Sequence, residues 1–199
     1  TKDLIGAIQH PEDGYIQPAD LTQALATGAR NRGAEIYRNT TVVGIKQTKN
    51  GWVVETDKGT IECEHVVSCS GNFARQTGKM VGLEIPVIPV EHQYIVTEPH
   101  PEIQKRKKEG LPEMGVLRDS DSRWYMREEA GGLILGPYED GAPCCYVDGP
   151  SKDSEYELFQ EDLERLAPHI EGAIHRVPAF GEVGVKKVYN GAICYTPDG

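Results

Sequence analysis

The sequence lacks the patterns by which cysteine declares a structural role. Cys63, Cys69, Cys144, Cys145 and Cys194 are odd in number and none stands in a C-x-x-C pair. Neither a zinc site nor a dithiol redox centre is expected, and no metal ligand set is assigned. Free thiols in a reducing compartment are the simplest account, with Cys63 and Cys69 as small buried hydrophobes. Basic charge is also short: Lys plus Arg number 21 against 31 Asp plus Glu, a net charge of −10. That balance repels phosphate backbones and anionic lipid, so neither nucleic acid nor a membrane is expected as a partner. The one dense basic run, Lys105 to Lys108, lies between Glu102 and Glu109 and reads as a solvated surface segment. No apolar stretch nears the roughly 18 residues that cross a bilayer, and no charged-then-apolar leader opens the chain; a soluble protein is expected. Internal repeats and low-complexity tracts are absent.

What is present is 199 residues, enough for one full core or two interleaved smaller ones. The chain has no initiator Met and stops in the turn Thr196-Pro-Asp-Gly199, so a fragment of a larger protein is expected. Its most informative stretch runs from Pro86 to Thr97. Val87, Ile88, Val90, Tyr94, Ile95 and Val96 are mostly β-branched or aromatic, which favours a buried strand. Pro86 and Pro89 confine its start to an edge or an entry. In its middle stands His92, whose imidazole titrates near working pH and must be either hydrogen-bonded or used.

Around this strand the chain reads as α/β or α+β. Pro18 to Arg30 is a helix with Leu21, Leu25 and Ala29 on one stripe and Gly33 as its stop. Short strands follow at Ala34 to Tyr37 and Val42 to Gln47, then a hairpin of Trp52 to Thr56 and Thr60 to Cys63 across Asp57-Lys-Gly59. Glu64 to Ala74 reads as an apolar strand entering the small-residue turn Ser70-Gly71, with a helix from there through Met80. That order lets backbone amides approach a nucleotide pyrophosphate. Further strands are expected at Val87 to Thr97, Gly115 to Asp119, Arg123 to Arg127, Leu133 to Gly136, Val185 to Tyr189 and Ala192 to Tyr195. A helix is expected over Glu155 to Leu166, with Tyr156, Phe159, Leu163 and Leu166 on one face.

Six segments in order carry a resemblance: Val66 to Arg75, Ile88 to Thr97, Val116 to Asp119, Trp124 to Glu128, Leu135 to Glu139 and Tyr195 to Gly199. Together they resemble the FAD-dependent D-amino-acid oxidase superfamily, and within it the dimethylglycine and sarcosine dehydrogenases. The resemblance implies a discontinuous FAD-binding domain, with residues 1–85 its middle part and 186–199 the start of its return. Residues 86–185 would form a substrate domain whose mixed or antiparallel sheet roofs the flavin. It implies oxidative N-demethylation of dimethylglycine or sarcosine by hydride transfer to FAD, in the cytoplasm of a bacterium or the mitochondrial matrix of a eukaryote. Tetrahydrofolate would take the one-carbon unit in a module this chain does not contain.

By the same resemblance His92 lies beside the flavin and Tyr125 partners it. Val42 meets adenine through its backbone; Ser70, Gly71, Asn72 and Phe73 lie along the pyrophosphate or ribityl chain; and Thr196, Pro197 and Asp198 lead toward the ring. Arg118 and Arg127 are expected to form ordinary salt bridges. The family's G-x-G-x-x-G strand and helix do not occur here, so the chain by itself is expected to bind FAD poorly or not at all and to be inactive. The alternatives are another FAD-dependent amine or amino-acid oxidoreductase of the superfamily, or a non-catalytic folded fragment or binding module. Surfaces left uncovered in such a fragment favour self-association.

Overall fold

The computed structural model describes residues 3–198. The chain divides into two compact units, one of Ile16–Ile88, Tyr146–Ser151 and Cys194–Gly199, the other of Thr1–Tyr15, Pro89–Cys145 and Lys152–Ile193. Among the described residues no helix is long and apolar enough to cross a membrane.

The first unit opens with helix α1, Pro18–Arg30. Pro18 occupies its first turn, where the missing N–H costs nothing, and Asp20 and Arg30 stand at the ends where their charges suit the helix dipole. Gly33 then takes φ +88°, and Ala34 N–H donates to Ala29 O at 3.1 Å, closing the helix. The apolar stripe is formed but uncovered: Leu21 is 42% and Leu25 66% exposed. Strands β1 (Val42–Thr48), β2 (Gly51–Thr56) and β3 (Gly59–Cys63) make an antiparallel meander in chain order. Thr56 pairs with Gly59, so Asp57-Lys58 alone forms the second turn. The Thr56 hydroxyl donates to Gly59 O and accepts from Lys58 N–H there.

Two expected strands do not form. Ala34 to Tyr37 and the stretch from Val66 to Ser70 lie outside any ladder, and Val67 is 83% exposed. Their β-branched and aromatic composition marks a chain that suits a pleated surface. A strand exists only where a neighbour supplies the hydrogen bonds, and neither stretch has one among the described residues. The helix expected to follow does form, as a 3-10 turn, Gly71–Phe73, running into α2, Ala74–Lys79, with Met80 as its C-cap.

The second unit is built on a five-stranded sheet. Strand β4 (Ile88–Thr97) is followed by helix α3 (Pro101–Lys108), strands β5 (Leu117–Asp119), β6 (Trp124–Glu129) and β7 (Gly132–Pro137), helix α4 (Leu163–Arg176) and strand β8 (Val185–Tyr195). The order across the sheet is β5-β6-β7-β4-β8. Pro89 sits at the entry of β4, where its carbonyl accepts from Cys145 N–H at 2.8 Å. The basic run belongs to α3, and Lys105, Lys107 and Lys108 are exposed there. His100 Nδ1 caps that helix by accepting from Glu102 N–H, and Lys105 to Lys108 gather at its C-terminal end, where cations are favoured. β8 is one continuous strand where two were expected.

The helix expected over 155–166 is displaced by about two turns. Tyr156 takes φ +55° and is 93% exposed, and Phe159 N–H donates to Asn190 O of β8. The helix instead begins where the Asp162 side chain accepts from Arg165 N–H, and it continues past Pro168 to Arg176. Leu166, Ile170 and Ala173 then recur on one face and pack on Trp124, Met126, Ile95 and Leu135 of the sheet. Phe180 and Ile103 complete this core.

Leu166 is fully buried there, so Leu166→Ala is expected to destabilise the chain by about 2–5 kcal/mol, whereas Leu158→Ala at an exposed site stays within about 0.5 kcal/mol. Urea denaturation of the two variants measures the difference.

Candidate active-site face

Alternation along β4 divides its residues between two environments. Gln93, Ile95 and Thr97 are buried, while His92, Tyr94 and Val96 are half-buried on the opposite face. β6 follows the same rule, with Trp124 and Met126 toward the core and Tyr125 and Arg127 away from it. Pairing of Ile95 with Leu135 and of Tyr125 with Gly136 brings these outward residues onto one face, across β7 from each other. An added Cβ at Gly136 would stand 2.1 Å from Tyr125 Cζ, so the tyrosine ring lies directly over the β7 backbone.

His92 makes no hydrogen bond to the protein among the described residues. Its ring contact is Tyr138, at 6.2 Å between centroids, and Tyr138 lies 6.1 Å from the ring of Tyr125. The two sequence-predicted residues thus flank a third that sequence reading missed. Tyr138 lies one residue past β7, where its N–H donates to Arg123 O; its place inside the Leu135–Glu139 segment was the available signal. Farther along the face Tyr94 stacks on Tyr189 at 4.8 Å, and the Lys187 ammonium lies 4.3 Å from the Tyr189 centroid.

Burial pushes the His92 imidazole below its ordinary value; the carboxylate of Glu139 opposes this and the Arg165 guanidinium reinforces it. His92 is therefore a neutral base at neutral pH. Burial likewise raises the phenols of Tyr125 and Tyr94, keeping both protonated donors. Of the two arginines expected to form salt bridges, Arg127 does so with Glu129 at 2.6 Å and also covers the Tyr15 ring. Arg118 does not: its guanidinium donates to the Tyr138 hydroxyl at 3.1 Å and has no carboxylate partner among the described residues.

Beneath the face a buried polar network holds the strands in place. Gln93 donates through its backbone and its side-chain amide to the two oxygens of Glu139, at 2.8 and 3.0 Å, and its side-chain oxygen accepts from Asp162 N–H at 2.8 Å. Arg165 donates to Glu139 and reaches Glu91, which also accepts from Asn190 of β8 at 2.8 Å. The Glu139 side chain is 1% exposed. Burial alone would lower the Arg165 value, yet Glu139 holds the guanidinium above its ordinary value.

The remaining sequence-predicted residues lie in the other unit. Val42 begins β1, opposite Thr56, ahead of a bulge at Gly44. Ser68 and Ser70 share a hydrogen bond at 2.8 Å, Gly71 takes φ +53°, and Asn72 carries a buried side-chain oxygen without a partner. Phe73 is exposed. Thr196, Pro197 and Asp198 are exposed, and the Thr196 side chain, with the Asp198 backbone, draws the Asp198 carboxyl below its ordinary range. Gly199 of that turn lies outside the described residues. Among the described residues no side-chain hydrogen bond joins these three segments to one another. All five cysteines are free thiols, but Cys63 is only half-buried and Cys69 is exposed, so neither fills a core. Cys69 lies in residues 65–70, which belong to no strand or helix.

The profile of the DAO family, FAD dependent oxidoreductase, matches residues 1–199. The chain is 39% identical over 201 residues to mitochondrial dimethylglycine dehydrogenase of Rattus norvegicus, covering 98% of this chain and 23% of that protein. It is 35% identical over 202 residues to mitochondrial sarcosine dehydrogenase of Homo sapiens, covering 98% of this chain and 21% of that one. The chain thus spans under a quarter of the length of either relative. In fold it is similar to the crystal structure of L-proline dehydrogenase from P. horikoshii, with TM-score 0.70 and 25% identity, covering 91% of this chain and 44% of that chain.

Two outcomes follow from the geometry. Nuclear magnetic resonance titration is expected to place the His92 midpoint below the ordinary value of about 6.5. Since the folded value is the lower one, its contribution to stability is present above about pH 6.5 and is lost as pH falls through the folded midpoint. Glu139→Ala strands the buried Arg165 charge and is expected to cost about 3–5 kcal/mol in denaturant titrations.

Proposed function

The chain belongs to the DAO family of FAD-dependent oxidoreductases, and on that premise we propose that the protein carrying it oxidatively removes an N-methyl group from dimethylglycine or sarcosine. The observation that carries this reading is His92: a neutral imidazole without a hydrogen-bond partner among the described residues, set against Tyr138 on a face shared with Tyr125. Its chemistry suits an amine substrate, and the likeness to dimethylglycine dehydrogenase over nearly the whole chain supports reading that amine as an N-methylated glycine.

Such an amine is protonated in water at neutral pH, and its N-methyl C–H bond weakens only when the nitrogen lone pair is free. Burial leaves a ring nitrogen of His92 unprotonated and open to that proton, and because burial also disfavours the imidazolium the proton passes on to solvent. The Tyr125 hydroxyl, held protonated, donates a hydrogen bond that orients the amine or the imidazole. FAD, when bound, supplies the two-electron acceptor. The iminium product releases its one-carbon unit to water or to tetrahydrofolate in another part of the protein.

One feature of the chain fits the dinucleotide. The unpartnered, buried Asn72 side-chain oxygen adjoins Gly71, where an added Cβ would meet nothing within 4 Å. An orphaned acceptor beside open backbone suits a polyhydroxylated chain, which brings donors and needs close approach. Ser70, Gly71, Asn72 and Phe73 would hold that part of FAD, with Val42 toward adenine and Thr196, Pro197 and Asp198 toward the ring. In this proposal residues 1–85 and 186–199 serve the cofactor and 86–185 the substrate.

Anaerobic mixing of the flavin-loaded, full-length protein with dimethylglycine or sarcosine is expected to bleach the flavin, and His92→Ala to slow that reduction by about 100-fold or more. Absence of bleaching by either amine would refute the substrate class, and an unchanged rate in the variant would make His92 structural.

A further inference from the structure

Two arginines of the second unit, Arg106 and Arg118, have no carboxylate partner among the described residues; Arg106 belongs to α3 and donates to Pro112 O at 2.9 Å, whereas Arg118 stands on the sheet. Arg123 pairs with Asp140, Arg127 with Glu129, Arg165 with Glu139 and Glu91, and Arg176 with Asp119 and Asp3. Arg118 is exposed and has no carboxylate partner among the described residues, in a chain where acids outnumber bases 31 to 21. Its position is set by the sheet. Arg118 pairs with Tyr125 across β5 and β6, which puts both side chains on the His92 face. The guanidinium is then held from the side. It donates one N–H to the Tyr138 hydroxyl at 3.1 Å, with its central carbon 5.8 Å from that ring's centroid. A guanidinium has five N–H donors in a planar fork, so the rest of the fork remains for a ligand.

We propose that Arg118 binds the carboxylate of the substrate, held in place by the Tyr138 hydroxyl, leaving His92 to face the amine; this rests on the reaction assigned above. Tyr138 touches both partners, and an N-methylated glycine, with one methylene between amine and carboxylate, has the length to lie across a single phenol ring. The fork matches a carboxylate in two hydrogen bonds, a match that an imidazole cannot make. The division of labour also frees His92 from anion binding, which a neutral imidazole does poorly. The net negative charge of the chain disfavours an anionic substrate group, and a local cation offsets that bias.

The test compares dimethylglycine with N,N-dimethylethylamine, which keeps the amine and loses the carboxylate, in the flavin-loaded, full-length protein. Arg118→Gln is expected to raise KM for dimethylglycine by about 10- to 150-fold, the range for a hydrogen bond to a charged group. The preference between the two amines then collapses toward one. Arg118→Lys restores part of it, and Tyr138→Phe raises KM in the same direction by a smaller factor. A KM for dimethylglycine unmoved by Arg118→Gln overturns the assignment while leaving the reaction intact. If the unaltered protein oxidises neither N-methylated glycine, the reaction falls, and equilibrium dialysis with radiolabelled trimethylglycine still reads the site. Binding lost in Arg118→Gln, with an unchanged circular dichroism spectrum, supports a carboxylate site at Arg118; binding that is absent throughout or equal in both proteins overturns it.

Discussion

The buried contact of Glu139 with Arg165 and Gln93 is the constraint on which the candidate site depends. A carboxylate that is almost wholly buried must be satisfied where it stands, and here Gln93 and Arg165 both donate to it. Gln93 can reach it only by pointing into the unit, and strand alternation then turns His92 outward. Arg165 can reach it only if α4 begins close to β4, which fixes where the helix lies on the core face. Measured against an apolar replacement, such a buried ion pair adds little net stability. Its effect is to exclude the alternatives: a one-residue slip of β4 would bury His92 and strand Glu139 without its amide donors.

The same constraint shapes the chemistry of the open face. With α4, Trp124 and Phe180 filling one side of the sheet, the other side presents His92, Tyr125, Tyr138, Tyr94 and Tyr189 together. Aromatic rings desolvate the imidazole without offering it a hydrogen-bond partner, and this keeps it neutral and available. The opposing influences of Glu139 and Arg165 offset one another at His92, so burial remains the larger cause of its shift.

Legibility in the sequence followed the range of the interactions involved. Helix α1 was readable because Pro18, the 21-25-29 stripe and Gly33 act within a few residues of each other. The hairpin of β2 and β3 was readable for the same reason. The stretches around Ile36 and Val67 were misread because composition reports what suits a strand, whereas a ladder needs a neighbour. α4 was misplaced because Tyr156 and Phe159 mimic a helical stripe, while Pro168 hides the true one from a pattern search. At the site, His92 and Tyr125 stood out as unusual residues in apolar runs. Tyr138 and Arg118 did not, because their meaning lies in each other and in pairings that cross two strands.

By itself the sequence determined the residue types available for chemistry, the two faces of each strand and the membership in a flavoprotein family, since all three are written in local pattern and in motif order. Tertiary structure alone decided that β4 lies between β7 and β8, that Tyr138 stands between His92 and Tyr125, and that Arg118 has a tyrosine hydroxyl for a partner in place of a carboxylate. The reason is that strand order, register and the burial of Glu139 are properties of contacts between residues far apart in the chain, and no window of sequence contains both members of such a contact.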